Sequence, residues 1–314
     1  MEQRTADRPP VAQRVVGAGG LRVSRTGLGT FTWGRDTDAD EAAAQLVAFV
    51  DAGGTLVDSS PSYTGGAAQS VLAGLVGDLV PRSALVLSST SGSVQDCSRT
   101  TLLGQLDATL AELGTDHLDL WQVGGFDPRT PVAEVAATLD TAVRTGRTRY
   151  VGLREHTGWQ VATVAAAVPA GSLVAVQAEH SLLERGVEEE LLPAAVHHGL
   201  GLLAAVPLAR GVLTGKYRSG TPADSRGASP HLAAALEGHR TAHANRVVEA
   251  VVTAADGLGT SPLAVALAWV RDRPGVASAI IGGRDAAQLT GALAVESLSL
   301  PAAIRAALDD VSSS

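Results

Sequence analysis

The chain holds one cysteine, Cys97, so it can form no internal disulfide, which fits a reducing compartment. Aromatic residues are only 3% of the total, and the 45% of hydrophobic residues are mostly alanine, valine and leucine. Such a core packs through small aliphatic side chains rather than large rings. No apolar run reaches the length of a membrane span or signal peptide, and the first ten residues, MEQRTADRPP, are polar. The expected location is the cytoplasm, with no membrane contact. Residues 1–12 read as a disordered leader to a single domain that takes up the chain of 1–314. The net charge of −8, with no cluster of arginine and lysine, argues against a nucleic-acid surface. Basic charge is almost wholly arginine; the only lysine is Lys216. No His/Cys/Asp spacing points to a metal site.

What the chain does have is alternation. Two short strand candidates, Arg14–Val16 and Leu21–Ser24, flank GAGG and suit a hairpin. Apolar runs at Thr55–Asp58, Leu85–Ser89, Leu118–Val123, Arg149–Leu153, Leu173–Gln177, Leu200–Val206 and Ala279–Ile281 read as strands. Between them lie helical patterns at Ala67–Val80, Thr100–Leu113, Val132–Thr145, Val161–Val168 and Glu188–His198, then Ala244–Leu258 and Pro262–Arg271, with one more from Ala286. Continuous apolar strands separated by helices imply a parallel sheet covered on its outer side. Counted from Gly27 there are eight strands, over about the 250 residues typical of a (β/α)8 barrel. The α/β alternative, a doubly wound sheet, calls for a Gly-rich phosphate turn opening an early helix. GLGTFTWG follows the first strand without that spacing. The fold class is therefore a (β/α)8 TIM barrel with an N-terminal β-hairpin, and its chemistry belongs at the C-terminal strand ends.

Those ends carry VDSSPSYTGG, LSSTSG, DLWQVGGFDP, GLREH, VQAEH, AVPLARGVLTGKY and IIGGRDAAQ. Together with LRVSRTGLGTFTWG, LAELGTDHLDLWQV and TGRTRYVGL, they resemble the aldo-keto reductase family nearly end to end. The resemblance implies NADP(H) bound across the barrel mouth and reduction of aldehydes and ketones by hydride transfer. It also implies a catalytic tetrad of Asp, Tyr, Lys and His. The Asp and Tyr fall on Asp58 and Tyr63, but the Lys position holds Ser91 and the His position Gly124. A free tyrosine titrates at about 10. Without a lysine, the Asp58 anion is expected to push it higher. General acid catalysis is worth roughly 10²- to 10⁴-fold, so family-type activity is expected to be lost or strongly reduced.

For the cofactor, the resemblance points to Gly29, Thr30, Gln177, Pro207, Leu208, Lys216, Arg226, Gly282, Arg284 and Gln288. Their cations and backbone donors suit phosphates. The nicotinamide end departs from the pattern. Arg154-Glu155 replaces a Ser-Asn pair, and Ala205 stands where many members stack an aromatic ring. Arg154, Glu155, His156, Glu179 and His180 form either a new acid–base group or a self-neutralising cluster filling the pocket. Three functions stay open. One is a divergent NADP(H)-dependent reductase acting through Tyr63. Another is a non-redox isomerase, cyclase or dehydratase pairing Tyr63 with His156 or His180. The last is a silent regulatory protein that binds NADP(H) or another small-molecule ligand at the mouth, with an unidentified protein partner.

Overall fold

The computed structural model describes residues 10–92, 96–223 and 225–313. A small antiparallel hairpin, β1 (Gln13–Val15) and β2 (Arg22–Ser24), precedes a closed barrel. The barrel strands are β3 (Thr26–Gly29), β4 (Leu56–Ser59), β5 (Val86–Thr90), β6 (Leu118–Gly124), β7 (Thr148–Arg154), β8 (Leu173–Glu179), β9 (Gly201–Ala205) and β10 (Val276–Ile281). Each pairs in parallel with its neighbour, and β10 closes on β3.

The outer layer is α1 (Ala39–Asp51), α2 (Ala67–Ala73), α3 (Arg99–Leu113), α4 (Val132–Arg144), α5 (Gly158–Ala167), α6 (Leu191–His197), α7 (Ala242–Leu258), α8 (Pro262–Arg271), α9 (Ala286–Leu293) and α10 (Ala302–Ser312). Local chemistry sets their starts. Asp38, Thr241, Ser261 and Asp285 cap α1, α7, α8 and α9 by accepting a backbone N–H three residues on. Thr157 and Gln160 form a capping box on α5. Helix α2 stops at Ala73, short of the Val80 expected from its apolar pattern, and Gly77 has φ +97° in the loop beyond. Helix α6 starts at Leu191 rather than Glu188, after a single 3₁₀ turn at Gly186–Glu188. No single helix among the described residues is long and apolar enough to cross a membrane.

One end of the barrel is plugged. Val16, Leu21 and Val23 of the hairpin region pack with Leu56, Leu120, Val174, Leu203 and Ala277 inside the strands. The hairpin turn presses on the loop before β9. A Cβ on Gly17 (φ +57°) would lie 2.2 Å from the Gly199 carbonyl oxygen, so only glycine fits. Arg14, Arg25 and the buried Arg271 converge there on Asp272 and Glu296. Of the leader expected at 1–12, residues 1–9 lie outside the described residues. Val11 is buried and donates its N–H to Ala52, and the Ala12 N–H donates to Glu296 at 2.8 Å, so these two residues belong to the fold. Among the described residues the N-terminal end is filled, and the C-terminal mouth is the end at which barrels of this kind carry their chemistry.

Candidate active site

The interior layer beneath the mouth is polar and closes on itself. Asp58 accepts from Ser88 Oγ at 2.9 Å and from Gln177 Nε2 at 3.1 Å. Gln122 Nε2 donates to Ser88 Oγ at 3.0 Å and to Gln177 Oε1 at 2.6 Å. Asp58, Ser88, Gln122 and Gln177 thus form a four-member ring across β4, β5, β6 and β8, with each member buried. Strand alternation puts them on one face, because inward residues recur every second position. Gly152 makes room on β7, where a Cβ would lie 3.1 Å from the Gln122 side chain.

Tyr63 is delivered just above this ring. Its N–H bonds to the Ser60 carbonyl, and Thr64, Gly65 and Gly66 then run through φ +50°, +67° and +98° to enter α2. Its ring stands edge-on to Phe31, 5.3 Å between centroids. The hydroxyl accepts from Arg154 Nη1 at 3.0 Å, and Arg154 Nε lies 3.3 Å from Glu155 Oε1. Arg154 ends β7, in register with Gly124 on β6 and Gln177 on β8. Among the described residues Asp58 makes no ion pair, as expected from the missing lysine, and Arg154, itself paired with Glu155, acts on it only through its charge. Burial pushes Asp58 above its ordinary value, while Arg154 and the bonds from Gln177 and Ser88 pull it back. Burial and then Asp58 push Tyr63 well above the ordinary tyrosine value, and Arg154 opposes both.

Ser91 and Gly124, the positions where the resemblance implies a lysine and a histidine, bond to each other. Ser91 Oγ accepts the Gly124 N–H at 2.9 Å, and a Cβ on Gly124 would lie 3.3 Å from the Ser91 carbonyl oxygen. All five non-glycine residues with positive φ among those described, Thr64, Glu155, Val206, Ala209 and Arg210, lie just beyond strand ends at this mouth. Strained backbone of this kind concentrates at functional sites.

Several expected site residues face elsewhere. His180 is fully buried on the outer side of the sheet, where its ring packs on Trp269 and its Nε2 lies 2.9 Å from Glu188. His156 is 7% exposed, donates from Nδ1 to the Arg154 carbonyl at 2.8 Å, and faces Phe126, Cys97 and Val164. Burial lowers its pKa, favouring the neutral ring. Neither histidine reaches Tyr63. Glu179 is engaged by both terminal nitrogens of Arg210, at 2.6 and 2.9 Å. Gln177, expected at the nicotinamide carboxamide, has both ends of its amide committed within the ring. The buried Thr30 hydroxyl is held by Ser59 Oγ at 2.9 Å and does not face outward to a cofactor.

Glu188 holds that outer region together. It receives His180, Arg185 and Arg273 at once. Burial raises its pKa, but these partners outweigh burial and hold it at about 2, against an ordinary 4.5. A depressed carboxylate stabilises the fold above its unfolded value, and that contribution disappears as pH falls towards 2. Glu188→Gln is accordingly expected to lower Tm at pH 7 by about 2–4 °C. The gap to the wild type should shrink at pH 3, as read by thermal unfolding monitored by circular dichroism.

The remaining expected cofactor residues lie along one flank. Pro207 and Leu208 follow β9 in the strained turn. Lys216 is exposed, with its ammonium 5.3 Å from the Tyr217 ring centre. Among the described residues, Arg226 has no hydrogen-bonded carboxylate. Burial lowers its pKa, as do its neighbours Arg284 and Arg210, with Tyr217 and Asp36 opposing. Gly282 is exposed, and Gln288 accepts from the Arg284 N–H at 3.3 Å. Arg226 thus lies within range of the charges of Arg284 and of Arg210, the latter already paired with Glu179. Gly29 stands at the end of β3, with Ile280 of β10 close against it.

The sequence profile described as "Aldo/keto reductase family" matches residues 25–313. The chain belongs to the aldo/keto reductase family. An "Uncharacterized oxidoreductase YrpG" of Bacillus subtilis is 32% identical over 94% of each chain. A "Probable voltage-gated potassium channel subunit beta" of Oryza sativa subsp. japonica is 32% identical over 87% of this chain and 88% of its own. "Aldo-keto reductase YhdN" of Bacillus subtilis is 27% identical over 86% of this chain and 84% of its own. Within this aldo/keto reductase chain, Ser88, Gln122 and Phe31 are site residues that sequence reasoning missed. Only inward parity on the strands could have indicated the first two.

Proposed function

We propose that this chain is an NADP(H)-linked carbonyl oxidoreductase working well below the rate of a complete tetrad. The observation that carries the reading is Tyr63, poised at the mouth over Asp58. Arg154 can only donate to the Tyr63 oxygen, so the hydroxyl proton points to an acceptor: Asp58, whose pKa it helps to lower, or a substrate carbonyl oxygen that takes its place. NADPH, when bound, supplies the hydride. Arg226, Arg284 and Lys216 would hold its phosphates, while Arg154 and Glu155 replace the amides that the resemblance implies around the nicotinamide. The raised pKa of Tyr63 keeps it a weak acid, which accounts for a slow reaction.

NADPH fluorescence titration tests the binding half of this reading. Saturation in the micromolar range is expected, with Arg226→Ala weakening affinity roughly tenfold or more. No binding at high micromolar concentration would contradict it. A non-redox reaction through Tyr63 with His156 or His180 loses its support, since both rings are held elsewhere. A silent, NADP(H)-binding regulatory role is the second reading. It is favoured by Ser91 and Gly124, and by likeness to a rice protein named as a channel subunit. Tight NADPH binding without turnover would favour it.

A further inference from the structure

The tetrad positions lost at Ser91 and Gly124 had two duties, a cation beside the tyrosine and a donor at the substrate oxygen. We propose that Arg154 performs both, as one guanidinium reaching in from β7 to replace side chains missing from β5 and β6. This rests on the reductase reading above and names the group that makes that reading chemically workable.

Three observations carry it. First, Arg154 is the group that bonds the Tyr63 oxygen, at 3.0 Å, with its guanidinium carbon 5.6 Å from the ring centre. It is also the charge that acts on Asp58 across the polar ring. Second, space and register agree. Arg154 pairs with Gly124, which presents no side chain, and Ser91 is drawn away to the Gly124 N–H. Third, the guanidinium is held at Nη1 by Tyr63 and at Nε by Glu155, and not at Nη2. Glu155 lies against Nε, in a backbone conformation (φ +57°) that non-glycine residues rarely adopt. Among the described residues, Nη2 has no hydrogen-bond acceptor, so donors are left over beside the Tyr63 hydroxyl. A guanidinium carries five N–H groups in a planar fork and stays protonated, so one can face Tyr63 while others face a carbonyl oxygen.

With NADPH as the hydride source for the carbonyl carbon, Tyr63 Oη would give its proton to the carbonyl oxygen, so that an alcohol and NADP⁺ result. Arg154 would stabilise the tyrosinate until solvent reprotonates it. Arg154 itself gains and loses nothing. The competing role is that of a plug, in which Arg154 merely fills an emptied pocket.

The test compares wild type, Arg154→Met and Arg154→Ala. With tyrosine labelled at Cζ and Tyr63 assigned through Tyr63→Phe, the cofactor-free protein is titrated by ¹³C NMR. Arg154→Met should shift the Tyr63 resonance at pH 8 and move the onset of tyrosinate to higher pH. Single-turnover NADPH oxidation by an aromatic aldehyde should slow about tenfold to a thousandfold in both variants. Added guanidinium ion should restore part of the rate in Arg154→Ala and none in Tyr63→Phe. Unchanged or faster turnover in Arg154→Met, with an unmoved Tyr63 signal, would make Arg154 a plug and overturn the proposal. If wild type transfers no hydride to any carbonyl, the reductase reading falls and the catalytic role of Arg154 with it. If hydride transfer proceeds but ignores Arg154, only this assignment falls.

Discussion

Replacing Tyr63 with phenylalanine is expected to lower hydride transfer by roughly 10²- to 10⁴-fold while leaving NADPH affinity within about twofold. The ring would keep its edge-on contact with Phe31, and the chain should keep its fold, because Asp58 retains its bonds from Ser88 and Gln177 when the Tyr63 hydroxyl is removed. What disappears is the proton source. Arg154 cannot replace it, since a guanidinium does not give up its proton in this pH range. Rapid-mixing measurement of NADPH oxidation with enzyme in excess reads the chemical step directly. A loss of less than threefold would mean that the proton comes from elsewhere.

The second large effect concerns rebuilding the tetrad. Ser91→Lys with Gly124→His alone should give no gain, because a lysine would face Arg154 across Asp58 and Tyr63, and like charges at short range repel. Adding Arg154→Ser removes that conflict and should raise turnover about tenfold or more. The histidine has a steric cost, since its Cβ starts 3.3 Å from the Ser91 carbonyl oxygen. If that variant folds poorly, Ser91→Lys with Arg154→Ser isolates the cation swap and should retain wild-type turnover. A gain from the first pair with Arg154 in place would contradict this account.

The barrel was legible because its signal is redundant. Seven apolar runs spaced by helical patterns, with the strand counted from Gly27, leave little choice of architecture, and most predicted strands begin or end within a residue or two of those observed. Site residues were harder, because parity at the end of a strand decides which way each faces. On β8, Gln177 and Glu179 point inward, so the next residue, His180, points out; alternation alone could have indicated this. His156 was not legible in that way. Glu155 at φ +57° breaks the alternation and turns His156 outward. The meeting of Arg154 with Tyr63 was half visible. A cation is missing at Ser91 and an extra one present at Arg154, but its contact with Tyr63 depends on the barrel bringing the end of β7 across to the loop after β4. Whether Gln177 binds a cofactor or its neighbours is decided by distances that no spacing in one chain encodes.

On the proposed reading, this mouth transfers hydride with Tyr63 as the acid. NADPH deuterated at the transferring C4 position, mixed with stoichiometric enzyme and an aromatic aldehyde, tests it by mass spectrometry of the alcohol. One deuterium is expected in the product alcohol with wild type and almost none with Tyr63→Phe. Bound cofactor that leaves the aldehyde unreduced, or equal deuterium transfer from both proteins, would contradict it.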